Sequence, residues 1–231
     1  MNASYQTPAL GFRNKRGGIQ SGARGFAVDA SAELARIGPN ALIQTVEALV
    51  EVAGIDATRR VLTAGGRGEL LTQRPVAMVD ENEFVALIAT LRRELSPDVA
   101  ESILGRGGER TGDYLLAHRI PRPARAFLPH LPRRLALRVL LKAIGAHAWT
   151  FAGSGRFSWE MTETGALIRL ADGPEARGHA AQAPCCAYYR NCFQTLLRSL
   201  VDRGIVVRET SCAAVGSETC EFAVAWPGRD S

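Results

Sequence analysis

The fold of this chain is decided by a stretch near its C-terminus, E-T-S-C-A-A-V-G-S-E-T-C-E-F, residues 209–222. Glu209, Cys212 and Cys220 lie in this stretch, and Cys186 lies upstream of it. Thiolates and a carboxylate that converge from separate elements are what a tetrahedral zinc site needs. The four residues are therefore candidate metal ligands that would tie a helix to a hairpin.

Other interpretations of the cysteines stay open on the residues alone. All five lie in the C-terminal quarter: Cys185, Cys186, Cys192, Cys212 and Cys220. Free cysteines are often small buried hydrophobic residues, and two disulfides are an alternative that a reducing compartment disfavours. Residues 209 and 212 are three apart, so a regular strand would place them on opposite faces. Both can ligate one ion only if the chain bulges or turns near Thr210 and Ser211.

The composition indicates one soluble domain with a tail. The 231 residues are 46% hydrophobic, enough for a sizeable core, and carry a net charge of +5. Neither a transmembrane run nor a secretory signal is found, so a cytoplasmic location is expected, with peripheral attachment to membrane headgroups as an alternative. The basic residues are not interleaved with aromatic ones, so no nucleic-acid partner is expected.

Hydrophobic periodicity predicts an α+β fold, in which a helix-rich N-terminal half precedes a hairpin–helix–hairpin unit that forms a small antiparallel sheet. Residues 1–34 lack periodicity and are predicted to be a flexible tail, with a single domain over residues 35–228. Helices are predicted over 40–53, over 56–64, behind Asp80, from Pro97 onward, over 135–144 and over 183–202. Strands are predicted over 156–162, 166–170, 205–209 and 220–226, and a proline-broken linker over 121–132.

Two local patterns add specific expectations. Asp80 and Glu83 have capping-box spacing, in which Glu83 would reach back to the first helical backbone groups. Gly108 and Gly112 stand four apart in a predicted helix, where each glycine costs about 1 kcal/mol relative to alanine. Their spacing indicates close approach of another backbone or of a flat ligand, and tight helix packing is the preferred interpretation.

The C-terminal pattern resembles the signature of the 4-vinyl reductase domain family. The resemblance rests on Glu209-x-x-Cys212, a gap of seven residues, and Cys220-Glu221-Phe222, all after a cysteine-bearing amphipathic helix. The glycine-spaced helix is also similar to one in that domain. The resemblance covers roughly residues 36–226 and implies the fold of that domain.

The resemblance also bears on the metal and on assembly. Ligand-sensing members of the family bind zinc through a cysteine, a glutamate and two cysteines, which favours Cys186 over Cys185 as the first ligand here. Four protein ligands leave no open position, so the implied zinc is structural. Members often pair, so a homodimer is implied.

The function implied by the resemblance is bacteriochlorophyll biosynthesis, at the 8-vinyl (4-vinyl) reduction step of a divinyl (proto)chlorophyllide. The implied partners are the chlorophyllide-type tetrapyrrole and other enzymes of the pathway. A non-enzymatic tetrapyrrole carrier that assists those enzymes and a small-ligand sensing module are the alternatives. Whether the chain is an enzyme stays open, because catalytic residues and the electron donor are unknown and no dinucleotide fingerprint is visible.

A flat magnesium macrocycle would need an apolar slot and an axial ligand for the metal. The candidate tetrapyrrole-binding residues are His118, His147, Trp149, Phe157 and Trp159. Each of them also has an ordinary interpretation as a surface or core residue.

Overall fold

The computed structural model describes residues 35–226, so the predicted tail over residues 1–34 lies outside the described residues. Its first part is mainly helical, and its second part is built around a four-stranded antiparallel sheet. The predicted α+β class is therefore confirmed. Within residues 35–226 no helix has the length and apolar character that a bilayer crossing requires.

The helices are α1 (Asn40–Ala53), α2 (Ile55–Ala64), α3 (Glu81–Glu94), α4 (Pro97–His118), α5 (Arg122–Phe127), α6 (Arg133–Ala146), α7 (Trp149–Ala152) and α8 (Ala187–Leu200). The strands are β1 (Arg36–Ile37), β2 (Val79–Asp80), β3 (Arg156–Met161), β4 (Gly165–Ala171), β5 (Val206–Ser211) and β6 (Cys220–Ala225). β1 pairs with β2, and the larger sheet has the order β3-β4-β6-β5. The two predicted hairpins and the helix between them are confirmed.

The larger sheet is amphipathic, as its period-2 pattern predicts. Ile168 of β4 lies opposite Phe222 of β6, and both are fully buried on the face that packs against α8. On the other face, Arg169 donates to Glu160 and Glu221 across the strands at 2.6 and 2.8 Å. The buried face therefore fixes the register of the strands around α8.

The main helix contact is between α4 and α8, and glycines make it close. A methyl group at Gly108 would lie 2.8 Å from the carbonyl carbon of Tyr188 and nearer still to its oxygen. A methyl group at Gly112 would lie 2.8 Å from Thr195 Cβ. The glycine spacing thus serves the close approach of a helix, which was the preferred interpretation.

Two predictions about local structure are wrong. Asp80 does cap α3, since its side chain accepts from Asn82 N at 2.9 Å. Glu83 does not reach back, because it pairs with Arg67 at 3.0 Å instead. The predicted linker over 121–132 contains α5 and a 3₁₀ turn, since a proline is tolerated in the first turn of a helix.

A buried carboxylate joins α3 to the segments on either side of the β3–β4 hairpin. Glu81 is 5% exposed and accepts from Ser154 N at 2.9 Å, from Ser154 Oγ at 2.7 Å and from Arg177 at 2.6 Å. We call Glu81, Ser154 and Arg177 the Glu81 network. Gly153 precedes it with a φ of 60°, and a methyl group there would overlap the Glu81 carboxylate.

Candidate functional site

The four predicted metal ligands lie together where the start of α8 meets the sheet. Cys186 is the N-cap residue of α8 rather than part of its first turns, Glu209 lies in β5, Cys212 follows β5, and Cys220 begins β6. One ligand atom from each residue can be chosen so that all four lie within 4.8 Å of one another. The predicted bulge is present, because the β5–β6 register shifts between Glu209 and Ser211.

The three sulfur atoms have the spacing of a tetrahedral thiolate site. Cys186 Sγ lies 3.7 Å from Cys212 Sγ and 3.5 Å from Cys220 Sγ, and the last two sulfurs lie 3.8 Å apart. Thiolates about 2.3 Å from a zinc ion at tetrahedral angles would lie about 3.8 Å from one another. The sulfur triangle therefore has a suitable size for one zinc ion.

Glu209 has one carboxylate oxygen ready for a cation. Its Oε2 accepts from Cys186 N at 2.7 Å, while its Oε1 is buried without a hydrogen-bond partner among the described residues. Burial raises the pKa of Glu209 to about 8. A buried oxygen without a partner is costly, and a metal ion would satisfy it. The donor set, three thiols and one carboxylate oxygen, fits a closed zinc site.

The remaining cysteines do not join this cluster. All five are free thiols, so the disulfide alternative is not seen. Cys185 is partly exposed, and its sulfur lies 3.5 Å from Arg92 Nη2. Cys192 is buried within α8. The geometry therefore brings Cys186, not Cys185, to the three other candidate ligands.

A buried glutamate that the sequence patterns did not reveal organises the start of α8. Glu175 is 1% exposed and accepts from Tyr188 N at 2.8 Å and from Tyr189 N at 3.1 Å. Arg92 of α3 donates to the backbone carbonyls of Glu175 and Cys185 at 2.8 and 2.9 Å. These contacts satisfy free N–H groups of the first helical turn and fix the backbone beside Cys186.

The aromatic residues predicted to bind a tetrapyrrole lie on and near β3. Phe157 and Trp159 point to the inner face of the sheet and are partly buried. A methyl group at Gly145 of α6 would lie 3.5 Å from Phe157 and 3.7 Å from Trp159 Nε1. Phe157 also packs edge-on against Phe151, with ring centroids 5.6 Å apart. The end of α6, α7 and β3 thus form one aromatic region.

The two histidine candidates lie in different environments. His147 follows α6 and is exposed, with Nδ1 2.9 Å from Ala143 O, and Trp149 is 60% exposed two residues later. His118 ends α4 and packs on Tyr114, with ring centroids 4.7 Å apart. Within residues 35–226, no hydrogen bond or ring contact joins His118 to the other four candidates. Only His147 therefore accompanies the aromatic region.

Two surface clefts lie away from the predicted tetrapyrrole residues. A cleft of about 230 Å³ runs along α1, and one of about 250 Å³ lies between α3 and the segment 177–179. The second cleft is lined partly by Arg92, Arg93, Arg177 and His179. Neither cleft contains a predicted tetrapyrrole residue, so these clefts do not supply the expected slot.

Comparison with protein families places the cluster in a known domain. The model of the 4-vinyl reductase domain matches residues 167–225, which run from β4 through α8 to the end of β6 and include all four clustered ligands. The chain thus contains a 4-vinyl reductase domain, in agreement with the resemblance found in its sequence.

Two curated relatives define the family more closely. The bacteriochlorophyll synthase 23 kDa chain of Cereibacter sphaeroides is 36% identical over 197 residues, which cover 84% of this chain and 92% of the relative. The protein of the same description from Rhodobacter capsulatus is 37% identical over 194 residues, which cover 84% of this chain and 89% of the relative. The chain belongs to the family of these bacteriochlorophyll synthase 23 kDa chains.

The fold is also similar to a solved H-NOX chain from work on heme distortion in the H-NOX family. That chain superposes with a TM-score of 0.51 at 12% sequence identity, and the match covers 82% of this chain and 95% of the H-NOX chain. At this identity the similarity concerns the fold alone.

Proposed function

We propose that this protein acts in bacteriochlorophyll biosynthesis by binding a chlorophyllide-type tetrapyrrole at the 8-vinyl (4-vinyl) reduction step of a divinyl (proto)chlorophyllide. The observation that carries the proposal is family membership. Both curated relatives are bacteriochlorophyll synthase 23 kDa chains, and a match of 197 residues extends well beyond the segment that the domain model matches. The reduction step comes from the resemblance to 4-vinyl reductase domains.

The aromatic region at the end of α6 is the proposed pigment surface. Trp149, Phe157 and Trp159 offer flat apolar area, and His147 offers an axial ligand for the pigment's magnesium. When His147 Nδ1 donates to the carbonyl of Ala143, its Nε2 lone pair is left free, which is the arrangement that metal-ligating histidines adopt. His118 lacks these neighbours and is proposed as the matched control.

We propose that zinc binds Cys186, Glu209, Cys212 and Cys220 and stabilises the fold. When bound, the ion supplies cross-linking of α8 to β5 and β6 rather than an open Lewis-acid position, since four protein ligands fill a tetrahedral site. Ala213 N lies 3.4 Å from Cys220 Sγ and would donate to that thiolate. The contacts of Glu175 and Arg92 would hold the Cys186 backbone in place.

A reductase and a carrier differ in whether the pigment turns over. The glycine-rich segments lie after α2, within α4 and before β3, and the larger sheet is antiparallel. None of these segments therefore begins the helix of a βαβ unit, the context of the usual dinucleotide fingerprint. An electron donor would come from another pathway enzyme or bind by a different motif. We propose the carrier role as the alternative to direct reduction.

The test uses the purified full-length chain and divinyl chlorophyllide, followed by absorbance and fluorescence. We expect saturable binding that His147→Ala weakens by about tenfold, the effect of losing about 1.4 kcal/mol, while His118→Ala binds like the wild type. Formation of the monovinyl product on addition of NADPH would assign the reductase role, and binding without turnover would assign the carrier role. Failure of the wild-type protein to bind the pigment would refute both.

We further propose that the protein forms a homodimer and works at a membrane surface beside other enzymes of the pathway. The dimer is inferred from the domain family and the membrane from the basic composition. Light scattering during size-exclusion chromatography tests the first proposal, and a monomer at all concentrations would refute it.

A further inference from the structure

The middle of the chain contains a long segment without acidic residues. Between Asp113 and Glu160 there is no aspartate or glutamate, while the segment holds seven arginines and one lysine. Outside it, the remaining 20 basic residues stand against 23 acidic ones. The positive charge of the protein is therefore concentrated in residues 114–159, which include α5, α6 and α7.

The outer side of α6 combines basic and apolar side chains in two parallel rows. Arg134, Arg138 and Lys142 are exposed and follow one another at intervals of four residues. Leu135 and Val139 form the neighbouring row and are 47% and 44% exposed. The opposite side of α6 is buried in the core. We call these five residues the α6 face.

Exposed aromatic residues stand before and after the α6 face in the chain. Phe127 at the end of α5 is 64% exposed, and Trp149 at the start of α7 is 60% exposed. Of the eight large hydrophobic side chains that are exposed among residues 35–226, four lie between residues 127 and 149. The exposed apolar area is thus concentrated in the same segment as the positive charge.

The charges of this segment are largely available to a partner. Among the described residues, no carboxylate lies within salt-bridge distance of Arg138, Lys142 or Arg134, and Arg134 donates only to the backbone carbonyls of Thr162 and Glu163. Arg133, at the edge of the face, does pair with Asp202 at 3.3 Å. The α6 face therefore carries net positive charge that no nearby acid neutralises.

We propose that the α6 face, flanked by Phe127 and Trp149, docks on the surface of an anionic lipid bilayer. Basic side chains attract lipid phosphates, and exposed leucine, valine and tryptophan side chains enter the boundary between headgroups and acyl chains. A nucleic acid would match the charge but would leave these apolar side chains without a partner. The inference rests on the proposed membrane association and adds the surface that makes it.

The experiment measures binding of the full-length protein to vesicles, without pigment. Vesicles of phosphatidylglycerol and phosphatidylcholine are compared with vesicles of phosphatidylcholine alone by co-sedimentation. The test variant is Arg138→Gln with Lys142→Gln, and the matched control is Arg60→Gln with Arg208→Gln, which removes the same charge from exposed positions of α2 and β5. A third variant, Leu135→Ser with Val139→Ser, removes the apolar row while keeping the charge.

We expect binding to the anionic vesicles only, and weaker binding at high salt. The test variant should lose about 25-fold in affinity, since each basic residue near an anionic surface contributes about a factor of five. The control variant should bind like the wild type, and the apolar variant should bind more weakly. No binding to anionic vesicles, equal losses in test and control variants, or a face that instead binds DNA or a second copy would overturn the proposal. Pigment binding measured on the same preparations keeps this failure separate from a failure of the proposed function.

Discussion

The close contact between α4 and α8 makes a specific prediction for Gly108→Ala. The added methyl group would lie 2.8 Å from the carbonyl carbon of Tyr188 and 3.0 Å from its Cα. These are backbone atoms, which cannot rotate away as a side chain can. Because ordinary carbon contacts are about 3.5 to 4.0 Å, the two helices must separate by up to about 1 Å.

The size of the effect follows from that separation. A gap of about 0.5 to 1 Å forfeits a quarter to a half of each dispersion contact along the helix interface, and overpacking of this kind costs typically about 1 to 3 kcal/mol or more. Alanine offsets about 1 kcal/mol of this through its better helix propensity. We expect a net loss of about 2 to 3 kcal/mol in the free energy of unfolding.

The matched control is Gly105→Ala in the same helix. Its methyl group would lie 2.9 Å from Asn191 Nδ2, the end of a side chain that can move. Its stability should therefore stay within about 1 kcal/mol of the wild type, because the propensity gain offsets the adjustment. Urea unfolding followed by circular dichroism measures both variants. Equal stability of Gly108→Ala and Gly105→Ala would refute the role assigned to the close helix contact.

Three further predictions concern the metal cluster and two buried carboxylates. Cys212→Ser should lose stoichiometric zinc and unfold the C-terminal unit, since structural zinc contributes on the order of 10 kcal/mol, whereas Cys192→Ser should keep its metal in elemental analysis; a stable, zinc-replete Cys212→Ser would contradict the ligand set. Burial raises the pKa of Glu175 to about 8, so the folded protein keeps a proton that the unfolded chain loses, and the free energy of unfolding should fall by about 4 kcal/mol between about pH 5 and pH 8. Glu175→Gln should remove that dependence in urea titrations, and an unchanged slope would show the reasoning to be wrong. Although burial alone would raise the pKa of Glu81, its hydrogen bonds to Arg177 and to the serine of the Glu81 network hold it below the ordinary value, so its contribution is present above the unfolded pKa and is lost as the pH falls through the folded one. Glu81→Gln should cost about 2 kcal/mol at neutral pH, less in acid, and a pH-independent cost would count against the ion pair.

Much of the architecture could be predicted because it depends on local patterns. Apolar residues at helical spacing and the glycine after residue 53 define α1, and alternation defines the strands. The bulge in β5 could also be predicted, since Glu209 and Cys212 can reach one point only if the strand is irregular. These features depend on residues that are close together in the chain, where spacing has a direct geometric meaning.

The rest depends on contacts between distant residues, which spacing does not encode. α8 was predicted from residue 183 but begins at Ala187, because Glu175 and Glu209 bind the backbone at its start. Glu175 lies in a loop without periodicity, so the sequence carried no signal for its burial. The aromatic region could be guessed from composition, but its separation from His118 follows from the packing of α6 against β3.

The central claim is that the protein acts at the 8-vinyl reduction step of bacteriochlorophyll biosynthesis, and it is tested most directly in the source organism. The measurement is the ratio of divinyl to monovinyl (proto)chlorophyllide, by chromatography and mass spectrometry, after deletion of the gene. The account predicts a shift toward the divinyl pigment that the wild-type gene reverses and His147→Ala reverses only in part. An unchanged ratio and an unchanged pigment level would contradict it.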